Sequence, residues 1–320
     1  MKFIVKKTEF LNGTAIIPAS KSHTIRAVVI ASLAEGQSTI LRPLESEDTR
    51  AAINACINLG AGIFKEKNRL IIKGFSGMPK PLTDVLYLQN SGTSFNLMCG
   101  VVSLGNFEEI LDGDDSLRNR PVEPLLSALR NLGAEAISVN KNGKPPVRIK
   151  GRIKGGKTII NGINSQFLSA LLISTPLADS DTEIDVVNLC EKPYVEMTLK
   201  WLDRQGINYE TNDELSHFFV YGNQRYKSFE KEIPGDWSSA TFLLVAAAIT
   251  NSEIFLKGLD INDVQGDKKI IDYLKYAGVI INSDIEKLTI KSGNIKGLEI
   301  DLNETPDALP ALAVLGCVAE

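Results

Sequence analysis

Residues 120–151, RPVEPLLSALRNLGAEAISVNKNGKPPVRIKG, contain the pattern that decides the fold. Apolar residues recur along residues 122–132 at the spacing of one helix face, which predicts an amphipathic helix. Gly133 follows the helix and suits the left-handed conformation that ends many helices. Asn142-Gly143 then marks a turn between two short alternating strands. The stretch therefore predicts a helix followed by a β-hairpin.

The same pattern recurs at a fixed interval. It returns at residues 48–74, 193–222 and 267–293, and the glycines that end the helices lie 73, 73 and 72 residues apart. They are Gly60, Gly133, Gly206 and Gly278. A more apolar helix precedes each copy, and a fifth begins near residue 306 on the same schedule. Such a period indicates an architecture of repeated units. Because the sequence stops at Glu320 inside the fifth copy, we expect the last unit and a half to be missing.

Each unit reads as strand, helix, strand, helix and hairpin, or βαβαββ. The hairpin makes neighbouring strands partly antiparallel, so the sequence predicts an α/β (α+β) fold rather than a doubly wound parallel sheet. The first helix of each unit is apolar almost throughout, as in residues 242–249, which predicts burial on most sides. An incomplete last domain is expected to leave the apolar face of residues 308–319 exposed.

Composition narrows the classes of function. The 320 residues are 43% hydrophobic and 23% charged, with a net charge of −4, which argues against a nucleic-acid partner. We find no apolar stretch of membrane-spanning length and no signal-peptide pattern, so we expect a cytoplasmic protein without a membrane partner. The four cysteines show no metal-ligand spacing and are predicted to be buried free thiols. They are Cys56, Cys99, Cys190 and Cys317.

Small and polar residues recur where the apolar helices start. The stretches are Ser20-Lys21-Ser22, Asn90-Ser91-Gly92-Thr93, Asn164-Ser165-Gln166, Gly235-Asp236 and Pro306-Asp307. Helix capping alone explains much of this pattern. Repeated units arranged around an axis would also direct several helix starts at one region, where free N–H groups favour an anion. The sequence therefore predicts an anion-binding centre.

Two further stretches alternate with these starts, Leu117-Arg118-Asn119-Arg120-Pro121 and Lys192-Pro193-Tyr194. In this order and spacing the set closely resembles the 5-enolpyruvylshikimate-3-phosphate (EPSP) synthase family, over essentially the whole chain. The resemblance implies a two-domain inside-out α/β barrel of the enolpyruvyl transferase type, with the active site in the cleft between the domains. Residues 1–19 plus 235–320 would form a first, incomplete domain, and residues 20–234 a second domain of three repeats.

The resemblance also implies a reaction. Members of this family transfer the carboxyvinyl group of phosphoenolpyruvate to the 5-hydroxyl of shikimate 3-phosphate, releasing phosphate. This step belongs to the shikimate pathway of aromatic amino acid biosynthesis, which leads to chorismate. The partners implied are these two small-molecule substrates, without a cofactor or a metal, and the protein is expected to be a monomer.

The family's roles pass to matching positions of this sequence. By resemblance, Lys21 contacts both substrates, Ser22 and Arg26 hold shikimate 3-phosphate, and Gly92 admits a backbone N–H to the phosphate of phosphoenolpyruvate. Arg120 clamps phosphoenolpyruvate, and Asn90 belongs to the same substrate-binding set.

The resemblance assigns the remaining positions to binding of the 3-phosphate and to proton acceptance. Asn164 and Ser165 would hold the 3-phosphate, Gln166 would lie between both ligands, and Tyr194 would lie nearby. Asp307 would be the general base on the 5-hydroxyl, so Asp307 and Lys21 are the predicted catalytic residues.

This sequence departs from the family pattern at two of these places. Asn164 and Glu191 stand where many members carry serine, and a carboxylate at 191 facing the cleft would repel an anionic substrate. We keep Asn164 in the predicted site and leave Glu191 out. Taken singly, Asn90, Asp236 and Asp307 also read as helix caps. The two histidines, His23 and His217, are predicted to be non-catalytic.

Two other functions remain open at this point. One is a UDP-N-acetylglucosamine enolpyruvyl transferase, although Ser22 follows Lys21 where that family prefers asparagine. The other is a truncated, non-catalytic ligand-binding form. If the protein ends at Glu320, we expect very weak turnover and retained binding of shikimate 3-phosphate.

Overall fold

The computed structural model describes residues 2, 4, 6–250, 252–283 and 288–320. The turn predicted between the strands of the last hairpin, residues 284–287, lies outside the described residues. The strands are β1 (Asn12–Ile16), β2 (Gln37–Leu41), β3 (Gly62–Glu66), β4 (Arg69–Lys73), β5 (Val85–Tyr87), β6 (Glu108–Asp112), β7 (Glu135–Ser138), β8 (Val147–Lys150), β9 (Gly156–Asn161), β10 (Thr182–Val187), β11 (Tyr209–Thr211), β12 (His217–Val220), β13 (Glu230–Glu232), β14 (Glu253–Lys257), β15 (Ile280–Ser283) and β16 (Leu288–Lys291). The helices are α1 (Lys21–Leu33), α2 (Glu47–Asn58), α3 (Gly92–Val102), α4 (Glu123–Asn131), α5 (Ser165–Ser174), α6 (Lys192–Gln205), α7 (Trp237–Ile249), α8 (Ile270–Tyr276) and α9 (Leu309–Gly316).

The strands form four-stranded sheets that share one plan. Their orders are β13-β2-β4-β3, β5-β6-β8-β7, β9-β10-β12-β11 and β1-β14-β16-β15. In each sheet the first two strands are parallel and the other pairs are antiparallel. This mixed pattern follows from a parallel crossover through the first helix and a hairpin after the second. The predicted βαβαββ units and mixed sheets are confirmed.

Two sheets take their first strand from a distant part of the chain. Strand β1 pairs with β14, and β13 pairs with β2. By their internal contacts the residues divide into unit 1, Met1–Ser20 with Pro234–Glu320, and unit 2, Lys21–Ile233. At the junction, the N–H of Ser20 donates to the carbonyl of Pro234 at 2.8 Å, and Ala19 bridges to Gly235.

The core of unit 2 lies around α1, α3 and α5, whose residues are mostly buried. Helices α3 and α5 approach closely at Gly100, where an added Cβ would lie 2.7 Å from the carbonyl oxygen of Ala170. Glycine is required at this point because any side chain would meet the backbone of α5.

The second helices of the units are amphipathic and end as predicted. The glycine after each has a positive φ, namely 100° at Gly60, 106° at Gly133, 68° at Gly206 and 95° at Gly278. An L-residue with a side chain rarely adopts this conformation, so the recurring glycines fix where each helix ends.

Unit 1 has a core that includes Trp237, β14, β16 and one face of α9. The prediction that α7 is buried on most sides is confirmed for most of its residues, Trp237 and Leu244 among them, although Phe242 is 51% exposed. In the described part of unit 1, this helix packs on strands β14 and β16, on helices α8 and α9, and on the short turns at residues 266–269 and 306–308. Leu309, Val314 and Val318 are also exposed, as predicted for the apolar face near the C-terminal end of the sequence.

The cysteine prediction is half right. Cys56 and Cys99 are buried, whereas Cys190 is half-buried and Cys317 is exposed. Position 317 lies just after α9, in the region where apolar residues also remain uncovered. Among the described residues, no helix is both long and apolar enough to cross a bilayer.

Candidate anion-binding site

An arginine lies against the start of α3. A Cβ added to Gly92, the first residue of that helix, would lie 2.5 Å from Nη1 of Arg120. Nη2 of Arg120 donates to the side-chain oxygen of Asn90 at 2.6 Å. The guanidinium therefore adds its charge to the positive end of the helix dipole. Because the guanidinium and the helix start are both positive, together they favour an anion at this point.

The start of α5 lies beside the same glycine. Oε1 of Gln166 is 3.8 Å from the added Cβ of Gly92 and accepts a hydrogen bond from Nδ2 of Asn96 at 2.9 Å. Asn164 is the N-cap of α5, and its side-chain oxygen accepts from the backbone N–H of Gln166. This capping leaves the amide NH₂ of Asn164 as a donor. Helices α3 and α5 thus bring amide and guanidinium donors together.

Arg26 is a buried cation whose hydrogen-bond acceptors are all neutral. Its side chain is 1% exposed and donates to Thr198, Ser169 and the carbonyl oxygens of Tyr194 and Ser22. Burial lowers the pKa of Arg26 to about 10, against a smaller opposing effect of Tyr194, so the group stays protonated at neutral pH. These bonds join α1, α5 and α6 around a charge that no carboxylate in the described residues neutralises.

Lys21 and Ser22 begin α1. Nζ of Lys21 lies 3.5 Å from a carboxylate oxygen of Asp48 in the first turn of α2. Both side chains are partly exposed, so this ion pair is weak and the ammonium remains available to a ligand. The backbone carbonyl of Asp48 also accepts from Ser94 of α3, which links the starts of the first two apolar helices.

A carboxylate reaches the start of α5. The hydroxyl of Ser165 donates to Oε2 of Glu191 at 2.7 Å. Ser165 is buried, and Glu191 is the N-cap residue of α6, two positions before Pro193. Glu191, which the sequence prediction leaves out of the site, thus contacts a predicted substrate-binding residue.

Unit 2 contains all the predicted site residues except Asp307. That residue lies in unit 1, is exposed, and accepts a long hydrogen bond of 3.4 Å from Ser238. It makes no capping hydrogen bond to the described helix α9, so the reading of Asp307 as an N-cap is wrong. Asn90 is not a cap either, because Ser91 caps α3. Asp236 caps α7, as predicted.

Sequence reasoning missed the residues that hold the predicted side chains. Asp48, Asn96, Ser169 and Thr198 each contact one of them. The only available signal was that all four are polar residues within the predicted helices. Their polar character alone does not distinguish them from ordinary surface positions.

A second polar cluster lies on the sheet that contains β10 and β12. The ligand atoms of Glu183, Asp185 and His217 lie within 4.8 Å of one another, which is a possible spacing for a metal site. However, Nζ of Lys157 lies 2.8 Å from Glu183 and 3.5 Å from Asp185. The hydrogen bond from His217, with the Lys157 charge, holds the pKa of Asp185 below its usual value. These contacts account for the cluster as an ion-pair network.

A cavity of about 800 Å³ lies elsewhere on unit 2, lined by residues such as Leu41 and Asn68. Four of its five charged side chains pair with one another, Arg42 with Glu232 and Arg69 with Glu66, and the fifth is Lys67. Because most of the charges are matched within the cavity wall, the cavity is a weaker candidate for an anion than the helix starts.

The structure thus combines repeated mixed sheets with buried helices that begin among cationic and amide donors. A sequence profile of EPSP synthase (3-phosphoshikimate 1-carboxyvinyltransferase) matches residues 5–320. The chain belongs to the EPSP synthase family.

Relatives and solved structures agree with this assignment. The 3-phosphoshikimate 1-carboxyvinyltransferase of Acetivibrio thermocellus is 47% identical over 309 residues, which are 97% of this chain and 73% of the relative. That of Methanocaldococcus jannaschii is 41% identical over 324 residues, 99% of this chain and 75% of the relative. An EPSP synthase structure from Acinetobacter baumannii matches with a TM-score of 0.83 at 27% identity, over 97% of this chain and 72% of that one. The chain thus spans about three quarters of the length of these relatives.

Proposed function

We propose that this protein is a transferase that moves the carboxyvinyl group of phosphoenolpyruvate to the 5-hydroxyl of shikimate 3-phosphate. The products would be 5-enolpyruvylshikimate 3-phosphate and inorganic phosphate. The observation that carries the proposal is the contact of Arg120 with the start of α3 beside Gln166, in a chain of this family.

The charges of the substrates explain why such a site suits the reaction. Two phosphates and two carboxylates must be held together against their mutual repulsion, and this requires cationic and N–H donors rather than a nucleophile. Arg120 and the N–H groups at Gly92 are assigned to phosphoenolpyruvate, with Asn90 orienting the guanidinium. The donors are fixed before the ligand arrives, which reduces the cost of reorganisation during the reaction.

The second anion is assigned to the remaining helix starts. Ser22, Arg26, Asn164 and Ser165, together with Tyr194, would hold shikimate 3-phosphate. Gln166 would contact both ligands, because it lies next to Gly92 and follows Ser165 on α5.

The catalytic roles are assigned to Lys21 and Asp307. Lys21 would contact both substrates and stabilise the developing charge, while Asp307 would accept the proton of the 5-hydroxyl. Asp307→Asn should abolish turnover while leaving the binding of shikimate 3-phosphate to unit 2 within about twofold of the wild type. Normal turnover in that variant would remove Asp307 from the mechanism.

The full chain tests the main proposal directly. Isothermal titration with shikimate 3-phosphate and phosphoenolpyruvate measures binding, and release of inorganic phosphate measures turnover. Arg120→Met is expected to weaken binding of phosphoenolpyruvate by about 100-fold, because a bidentate cation is lost. Arg148→Met is the matched control, since Arg148 is a partly exposed arginine paired with Glu108 on another part of the same unit.

Each other outcome points to a different function. Binding of UDP-N-acetylglucosamine without binding of shikimate 3-phosphate would identify the sister enolpyruvyl transferase. Binding of shikimate 3-phosphate without phosphate release would identify a non-catalytic ligand-binding form. Equal effects of Arg120→Met and Arg148→Met would refute the assigned site.

We further propose a cytoplasmic monomer that binds small molecules rather than nucleic acid or membranes. Light scattering coupled to size exclusion should give a mass near 34.9 kDa for this chain. A mass of twice that value would contradict the monomer.

A further inference from the structure

Glu191 occupies an unusual position at the start of α6. Its backbone is left-handed, with φ 54° and ψ 43°, a conformation that is costly for a residue with a side chain. An N-cap side chain normally accepts a hydrogen bond from the first turn of its own helix. Within the described chain, Glu191 makes no such capping bond. Its carboxylate instead accepts the hydroxyl of Ser165 at 2.7 Å.

This hydrogen bond uses the only proton of the Ser165 hydroxyl. Ser165 is 1% exposed and is the first residue of α5, where Asn164 and Gln166 place their amides. A serine hydroxyl donates one hydrogen bond, whereas a fully ionised phosphate can only accept. Ser165 therefore cannot donate to Glu191 and to a phosphate at the same time.

We propose that Glu191 is a positioning and specificity residue of the α5 site, which weakens the binding of phosphorylated ligands by competing for the Ser165 proton. This inference rests on the proposed function, because it takes Ser165 to be a ligand of the 3-phosphate. The carboxylate also places a like charge next to the bound phosphate. A hydroxyl group in place of that phosphate can donate to Glu191 and meets neither penalty. The ratio of the affinity for shikimate 3-phosphate to the affinity for shikimate is therefore smaller than it would be with the cationic donors alone.

Two substitutions of Glu191 test the inference in the full chain. Glu191→Gln keeps the shape of the side chain and removes its charge, and Glu191→Ser removes both. In each variant the affinity for shikimate 3-phosphate, measured by isothermal titration, should rise by about tenfold. The affinity for shikimate should stay within about threefold, because that ligand carries no phosphate. Glu196→Gln, an exposed glutamate on the same helix, is the matched control and should change neither affinity.

A double substitution shows whether the effect passes through Ser165. In a Ser165→Ala background, Glu191→Gln should give a clearly smaller gain in affinity for shikimate 3-phosphate, since no shared proton remains. A purely structural role of Glu191 would change the affinities for shikimate and shikimate 3-phosphate alike.

The outcomes separate this inference from the proposed function. If the wild type binds shikimate 3-phosphate but Glu191→Gln weakens that binding or leaves it unchanged, the inference is refuted and the proposed function stands. If the wild type binds neither shikimate 3-phosphate nor shikimate, the proposed function fails and this inference fails with it.

Discussion

Glu109 is a buried carboxyl group in β6 whose ionisation should lower stability. Its residue is 1% exposed, and neither carboxylate oxygen has a hydrogen-bond partner among the described residues. Strand register pairs it with Ile149 of β8, and Leu111, two residues along β6, is also buried. Burial, with a smaller contribution from the charge of Asp84, raises the pKa of Glu109 from 4.5 to about 7.

The direction and size of the effect follow from this shift. The folded state binds the proton of Glu109 more tightly than the unfolded state, so this group stabilises the folded protein less as the pH rises from 4.5 to 7. This difference in pKa between the folded and unfolded states corresponds to a loss of about 3 kcal/mol in the free energy of unfolding once Glu109 is fully ionised. Relaxation of the structure around the carboxylate would reduce that loss. Glu109→Gln keeps a neutral polar group of the same shape. The two proteins should therefore be equally stable below pH 4.5, and the variant should be more stable above pH 7 by about 2–3 kcal/mol.

Urea unfolding at a series of pH values measures this difference. Tryptophan fluorescence is a suitable signal because Trp201 is buried in the same unit as Glu109. Glu135→Gln, which replaces an exposed glutamate on β7 of the same sheet, is the control and should show no pH-dependent gain. A stability difference for Glu109→Gln that is the same at pH 5 and pH 8 would refute the reasoning. So would a wild type that is the more stable protein at pH 8.

Two other predictions concern packing and thiol chemistry. Gly100→Ala should lower the free energy of unfolding by about 1–3 kcal/mol, because its Cβ would lie 2.7 Å from a carbonyl oxygen of α5. Gly316→Ala is the control, because an added Cβ there meets nothing within 4 Å, and it should change the free energy of unfolding by less than about 0.5 kcal/mol. Equal effects of the two substitutions in urea unfolding would contradict the close approach of α3 and α5 at Gly100. In a native thiol titration Cys317 should react rapidly, while Cys56 and Cys99 should react only after unfolding, because both are buried and burial raises the pKa of Cys56 to about 12. Rapid reaction of Cys56 in the folded protein would show that this region opens readily.

The sequence predicted the candidate site up to the choice of helix starts. It identified where Gly92, Gln166 and Lys21 begin or adjoin buried helices, because capping residues and helix period are local signals. It did not predict that Asp48 pairs with Lys21, or that Glu191 contacts Ser165. These contacts join residues 26 or 27 positions apart on different helices, and their identity depends on how the helices pack.

The sequence by itself determined the units of this protein. Helix faces, the glycines that end helices and the turn residues all act within a few residues, so a repeat of about 73 residues reveals them directly. The tertiary structure decided which strand completes each sheet. Strand β13 has the sequence Glu230-Lys231-Glu232, which lacks the apolar alternation that would predict a strand. It nevertheless pairs with residues 39–41. Strand β1 likewise pairs with residues 253–257. An edge strand is chosen by the unpaired N–H and C=O groups of the sheet beside it, and those groups come together only when distant parts of the chain have folded.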